Sequence, residues 1–107
     1  MPDHHATEPE APTSGRLRAV VTEEWIEALG LPRSPQPRGN EDFFEAGGNS
    51  MQAIVMFDRI GARLALDPSV ETLYLNGTLD ALVEHCQADA EEQRAADGTR
   101  ARGPGQR

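Results

Sequence analysis

The chain has 107 residues and a formal net charge of -8, with 18 acidic side chains against 10 basic ones. That length supports one small domain. The charge argues against a nucleic-acid partner, because binding a phosphate backbone needs a basic face.

The surplus of carboxylates suits solubility, and it equally suits docking onto basic enzyme surfaces. No stretch approaches the about 20 apolar residues of a membrane span. Met1 to Glu10 lacks the apolar core of a signal peptide. No membrane contact and a cytoplasmic location are therefore expected. The single cysteine, Cys86, excludes an intramolecular disulfide and sits in an apolar helical pattern, where a small buried hydrophobe is the default.

Residues 1–14 hold three prolines, several carboxylates and His4-His5 without apolar periodicity, and are expected to form a disordered arm. The first helix is predicted from Arg16 to Leu29. Leu17, Val20, Val21, Trp25, Ala28 and Leu29 recur at three- and four-residue steps, and Gly30 suits the C-terminal cap. Leu31 to Asn40 carries Pro32, Pro35, Pro37 and Gly39 and reads as a long loop.

A second helix is predicted from Ser50 to Ala65. Its core face is expected at Ala53, Ile54, Phe57, Ile60, Gly61 and Leu64. Met51, Val55 and Ala62 fall elsewhere on the projection with Asp58. They predict an exposed apolar strip suited to transient docking, unless another helix or the long loop covers it. Asp67-Pro68 opens a short third helix ending near Leu75, followed by an Asn76-Gly77 turn. Thr78 caps a last helix with Leu79, Leu82, Val83 and Cys86 at i, i+3, i+4 and i+7. Glu91 to Arg107 turns from acidic to arginine-rich and is expected to form a disordered tail. The fold class is all-α, a small four-helix bundle with a short third helix, over residues 15–90.

Ser50 follows Gly47-Gly48-Asn49 and opens the second helix. A serine there is commonly an N-cap. A capping box from Ser50 would need Glu or Gln where Ala53 stands, and Asn49 could cap equally well. For catalysis there is little material. His85 and Cys86 are adjacent on a helix and point about 100° apart. His4-His5 lacks further ligands, and Asp42 and Glu45 read as solvated loop carboxylates. No Walker loop or dinucleotide fingerprint is present.

Three blocks in order carry a family resemblance. Trp25-Ile26-Glu27-Ala28-Leu29-Gly30 resembles the Trp-x-x-Val-Leu-Gly that closes the first helix of carrier domains. Asp42-Phe43-Phe44-Glu45-Ala46-Gly47-Gly48-Asn49-Ser50 resembles Asp-x-Phe-Phe-x-Leu-Gly-Gly-(His/Asp)-Ser. Leu73-Tyr74-Leu75-Asn76-Gly77-Thr78 resembles Leu-Phe-x-x-Pro-Thr. Together they span Leu17 to Cys86 and resemble the peptidyl carrier protein, or thiolation domain, of the phosphopantetheine-binding acyl carrier superfamily. The sequence departs from the pattern at Asn49, Ala46, Met51, Tyr74 and Gly77, which bears on partner identity.

The resemblance implies a non-catalytic carrier. The expected disordered ends and the initial methionine suggest a free-standing carrier rather than an excised synthetase module, although an expressed fragment could look the same. A monomer with no resident metal is expected. Ser50 would carry a covalent 4'-phosphopantetheine arm taken from coenzyme A by a phosphopantetheinyl transferase, with Gly47, Gly48 and Asn49 around it. Glycines let the transferase approach, and the phosphodiester would lie at a helix N-terminus that favours negative charge. An adenylation enzyme would load an aminoacyl or aryl group as a thioester, for condensation or tailoring enzymes of non-ribosomal peptide or antibiotic biosynthesis. A polyketide acyl carrier protein and an unmodified helical adaptor are the alternatives.

Overall fold

The computed structural model describes residues 13–102, and among them four helices: α1 (Ser14–Leu29), α2 (Ser50–Leu64), α3 (Glu71–Leu75) and α4 (Leu79–Arg102). The expected all-α bundle with a short third helix is what forms. None of these helices is long and apolar enough to cross a membrane. Most of the expected arm, residues 1–12, and residues 103–107 of the expected tail lie outside the described residues.

Helix α1 starts two residues before the expected Arg16, because Thr13 Oγ1 accepts from the Arg16 N–H at 3.1 Å and caps the first turn. Gly30 closes it in the left-handed region, φ 67°, as its position predicts. Helix α3 starts later than expected. Asp67 and Pro68 are not helical: the Asp67 N–H donates to Asp89 on α4, and Pro68 is buried. Helix α4 opens on Thr78, whose Oγ1 accepts from the Ala81 N–H. It runs past residue 90, the boundary that composition suggested, and Glu91 to Ala95 are all exposed.

The core joins Leu17, Val20, Val21 and Trp25 of α1 to Ala53, Met56, Phe57, Ile60 and Leu64 of α2. Leu73 of α3, Leu79, Leu82, Val83, Cys86 and Ala90 of α4, and Phe43 and Leu66 from the connections complete it. Two expected core positions on α2 are corrected. Ile54 is 53% exposed and Gly61 is only partly buried, while Met56 is buried instead. The buried stripe is 53, 56, 57, 60 and 64. Residues 51, 54, 55, 58 and 62 repeat the same steps two residues earlier, on the outward side.

Four of the five aromatic side chains form a chain through the fold. Trp25 meets the Phe43 ring edge-on (5.4 Å, 74°), Phe43 meets Phe44 (5.5 Å, 89°), and Phe44 stacks on Tyr74 (5.5 Å, 16°). The long loop is thereby nailed into the core by Phe43, which is fully buried. Backbone bonds hold the same loop to the α3–α4 turn: Phe43 N–H to Gly77 O (2.8 Å), Leu79 N–H to Glu41 O (3.1 Å) and Asp80 N–H to Gly39 O (2.8 Å).

Candidate functional site

The turn before α2 is built by Asp42. Its Oδ1 accepts from the N–H groups of Phe44 (2.9 Å) and Glu45 (3.1 Å), and its carbonyl accepts from Ala46 (2.9 Å). Asp42 is therefore a turn-former, its carboxylate committed to backbone donors. Gly47 then takes φ 108°, which side-chain-bearing residues rarely adopt. Gly48 lies against the Phe43 ring: a Cβ there would fall 2.3 Å from Cε2. The two glycines thus have separate structural causes, one conformational and one steric. They also leave Ser50 without a bulky neighbour on that side.

Asn49 is the N-cap of α2. Its Oδ1 accepts from the Gln52 N–H (2.9 Å), and Gln52 Oε1 accepts from the Asn49 N–H (2.9 Å), a complete capping box. Framing the box from Ser50 misses this; framed from Asn49, the signal is in the sequence as Asn-x-x-Gln. The consequence is chemical. Capping is done by Asn49, so Ser50 sits at the first helical position, exposed, and its hydroxyl has no hydrogen-bond partner among the described residues. The N–H groups of Ser50 and Met51 likewise donate to no protein group among those residues. An anion esterified to the Ser50 oxygen would lie beside those two donors and the positive end of the helix. The residues present therefore fit a phosphodiester-linked arm.

Next along the helix, Met51 is 70% and Val55 51% exposed, and Asp58 and Ala62 are exposed too. Ile54 joins them. On α3, Tyr74 and Leu75 are exposed apolar side chains that sequence periodicity did not single out, since five residues are too few to define a face.

The other side of α2 faces α1. Gln52 Nε2 donates to Ala28 O (3.1 Å) near the start of α2. Further along, Arg59 Nε and Arg63 Nη1 bond the two oxygens of Glu24 at 2.7 and 2.9 Å, and Arg63 Nη2 bonds Glu23 at 2.9 Å. Burial pushes the Glu24 carboxyl up. The hydrogen bonds and charges of Arg59 and Arg63 outweigh it and hold the group below the usual glutamate value. Nothing in the apolar periodicity of α1 announces this buried carboxylate.

Of the residues considered for catalysis, His4 and His5 lie outside the described residues, while His85 and Cys86 have structural roles. His85 Nε2 accepts from the Ser69 N–H (3.1 Å) and pins the α2–α3 connection. Cys86 is fully buried. Among the described residues no group of acidic, histidine or cysteine side chains is arranged to hold a metal.

Residues 19–86 match the family described as "Phosphopantetheine attachment site". The chain is 37% identical over 73 residues to an N-(5-amino-5-carboxypentanoyl)-L-cysteinyl-D-valine synthase from Amycolatopsis lactamdurans, covering 68% of this chain and 2% of that protein. It is 34% identical over 77 residues to malpinin synthetase from Mortierella alpina, covering 72% of this chain and 1% of that one. The chain thus spans only a small fraction of these relatives. Among solved structures it resembles BlmI, a type-II acyl-carrier protein from Streptomyces verticillus involved in bleomycin biosynthesis. That match has a TM-score of 0.61 and 25% identity, over 82% of this chain and 96% of that one. With the family match spanning α1 to α4 and a helix-opening serine inside it, the chain belongs to the phosphopantetheine-attachment family of peptidyl carrier domains.

Proposed function

We propose that Ser50 is the attachment residue, and that the chain carries an aminoacyl or aryl group as a thioester on a 4'-phosphopantetheine arm. The observation that supports this most directly is the division of labour at the start of α2. The Asn49–Gln52 box caps the helix and leaves the Ser50 hydroxyl exposed and unpartnered. A serine serving only as a cap would spend its oxygen on the helix.

The working unit is residues 15–90. The protein itself does no bond-making chemistry on the cargo; it presents the thioester to others. A phosphopantetheinyl transferase installs the arm from coenzyme A, an adenylation enzyme loads it, and condensation or tailoring enzymes consume it. The outward stripe of α2, Met51, Val55, Asp58 and Ala62, extended by Ile54, is the surface these enzymes share. Methionine and small apolar groups suit successive partners of different shape. It acts as a monomer in the cytoplasm, and its likeness to short stretches of an N-(5-amino-5-carboxypentanoyl)-L-cysteinyl-D-valine synthase and of malpinin synthetase supports a part in that kind of biosynthesis.

The test is intact-mass measurement after incubation with coenzyme A, magnesium and a broad-specificity transferase. A gain of one phosphopantetheine group is expected. Ser50→Ala should abolish it with the helical circular dichroism retained. No gain in the wild-type chain would leave an unmodified adaptor as the better reading.

A further inference from the structure

One side chain joins the end of α1 to the start of α2. Gln52 is half-buried at the third helical position of α2, and its amide is used at both ends. Oε1 accepts from the Asn49 N–H at 2.9 Å, and Nε2 donates to the Ala28 carbonyl at 3.1 Å.

The Ala28 carbonyl is open to this bond for a reason written in the sequence. It lies in the last turn of α1, where carbonyls have no donor within the helix. Its neighbours are satisfied from the turn that follows: Gly30 N–H donates to Glu27 O (3.3 Å) and Leu31 N–H to Ile26 O (3.0 Å). The residue four positions after Ala28 is Pro32, which has no N–H. A side chain from another helix supplies the missing donor.

Capping alone does not need that second bond. A glutamate at residue 52 would complete the box with Asn49 and would suit the helix dipole. An amide accepts from Asn49 and also donates to Ala28, which a carboxylate cannot do. Ser50 has no side-chain partner of its own among the described residues, so the backbone on either side sets its place. Gln52 lies two steps of about 100° round the helix from Ser50, away from the face that a transferase would approach.

We propose that Gln52 is a positioning residue for arm transfer: its bridge from the Asn49 N–H to the Ala28 carbonyl ties the Ser50 turn to α1 and fixes where the Ser50 oxygen stands. This rests on Ser50 as the attachment residue. In the transfer a bond forms from Ser50 Oγ to the pantetheine-bearing phosphorus of coenzyme A. The P–O bond of the pyrophosphate breaks, adenosine 3',5'-bisphosphate leaves, and the hydroxyl proton passes to a base of the transferase. Misplacing an attacking atom by about 1 Å can cost about 100-fold in rate. Gln52 touches no reacting atom and acts through Asn49 and Ser50.

The experiment compares Gln52→Met, which loses both side-chain bonds, with Gln52→Glu, which keeps the bond to Asn49 and loses the one to Ala28. Each is incubated well below its Tm with coenzyme A, magnesium and a broad-specificity phosphopantetheinyl transferase. Mass gain is followed in single turnovers over a range of transferase concentrations. The rate at saturating transferase should fall about tenfold in both variants, with the half-saturating concentration within about twofold of wild type. A lower Tm with that rate unchanged would make Gln52 a stability residue alone and overturn the proposal. A wild-type rate in Gln52→Glu overturns the tie to α1, since the cap then suffices. A change confined to half-saturation overturns it as well, because the residue then acts in docking. No mass gain in the wild-type chain overturns attachment at Ser50, and the positioning role falls with it.

Discussion

The Phe43 ring occupies the space where a side chain at residue 48 would begin: a Cβ on Gly48 would stand 2.3 Å from Cε2 and 2.5 Å from Cδ2. That contact links the buried aromatic chain to the turn that presents Ser50. Gly48 has no positive φ, so Gly48→Ala meets no backbone penalty, and its whole cost is displacement of the ring. We expect a loss of about 2 kcal/mol, seen as a fall of roughly 10 °C in Tm. Trp25 fluorescence should change as its edge-on neighbour moves. An unchanged Tm would show that Phe43 has room to give.

How far the sequence disclosed this arrangement differs from element to element. The α4 core residues and the exposed Met51, Val55, Asp58 and Ala62 follow from three- and four-residue steps alone. Ile54 does not. It neighbours Ala53 on the helix, and only the position of α1 decides which of the two stripes is covered. The Asn49–Gln52 box was legible once the cap is taken at Asn49 rather than Ser50. The Glu24 pairing was not, because its partners lie 35 and 39 residues away.

Glu24 makes stability depend on pH in a stated direction. Its folded-state affinity for protons is held below the ordinary value, so the unfolded chain takes up a proton first as the solution is acidified. Its contribution is complete above the ordinary glutamate value of about 4.3 and is lost as pH falls through the lower folded value. The Tm gap between wild type and Glu24→Gln should therefore be present at pH 7 and close below about pH 4. The partners are not equivalent. Glu24 is buried, while Arg59 and Arg63 are partly exposed. Replacing both arginines with alanine strands a buried carboxylate and should cost about 3 kcal/mol. Glu24→Gln leaves two hydrated guanidinium groups and should cost less in the same urea titration.

Cys86 bears on how the arm is assayed. Burial pushes its thiol up to about 12, with the nearby Asp89 charge adding to the effect. Thiolate is the reacting form, so a thiol reagent at pH 8 should leave the native unmodified chain essentially unlabelled. Unfolding in denaturant should release one reactive thiol. After transfer of the arm, the native protein should react once, at the arm. Stoichiometric labelling of the native chain before transfer would show that α4 opens readily enough to expose Cys86.

The outward stripe of α2 is testable because fold and docking separate at Met51. Its side chain is 70% exposed, so Met51→Glu removes little packing and should change stability by no more than about 0.5 kcal/mol. It does place a charge where an apolar contact with each partner would form, beside Ser50. Loading by the transferase should fall about tenfold in kcat/KM, equivalent to about 1.4 kcal/mol of lost docking. Ala19→Glu, an equally charged change at an exposed position of α1, should leave loading unaffected. Equal loss in both variants would trace the effect to net charge on an already acidic chain. A large fall in Tm for Met51→Glu would instead make Met51 a packing residue and shift the docking surface to Ile54, Val55 and the exposed Leu75 of α3.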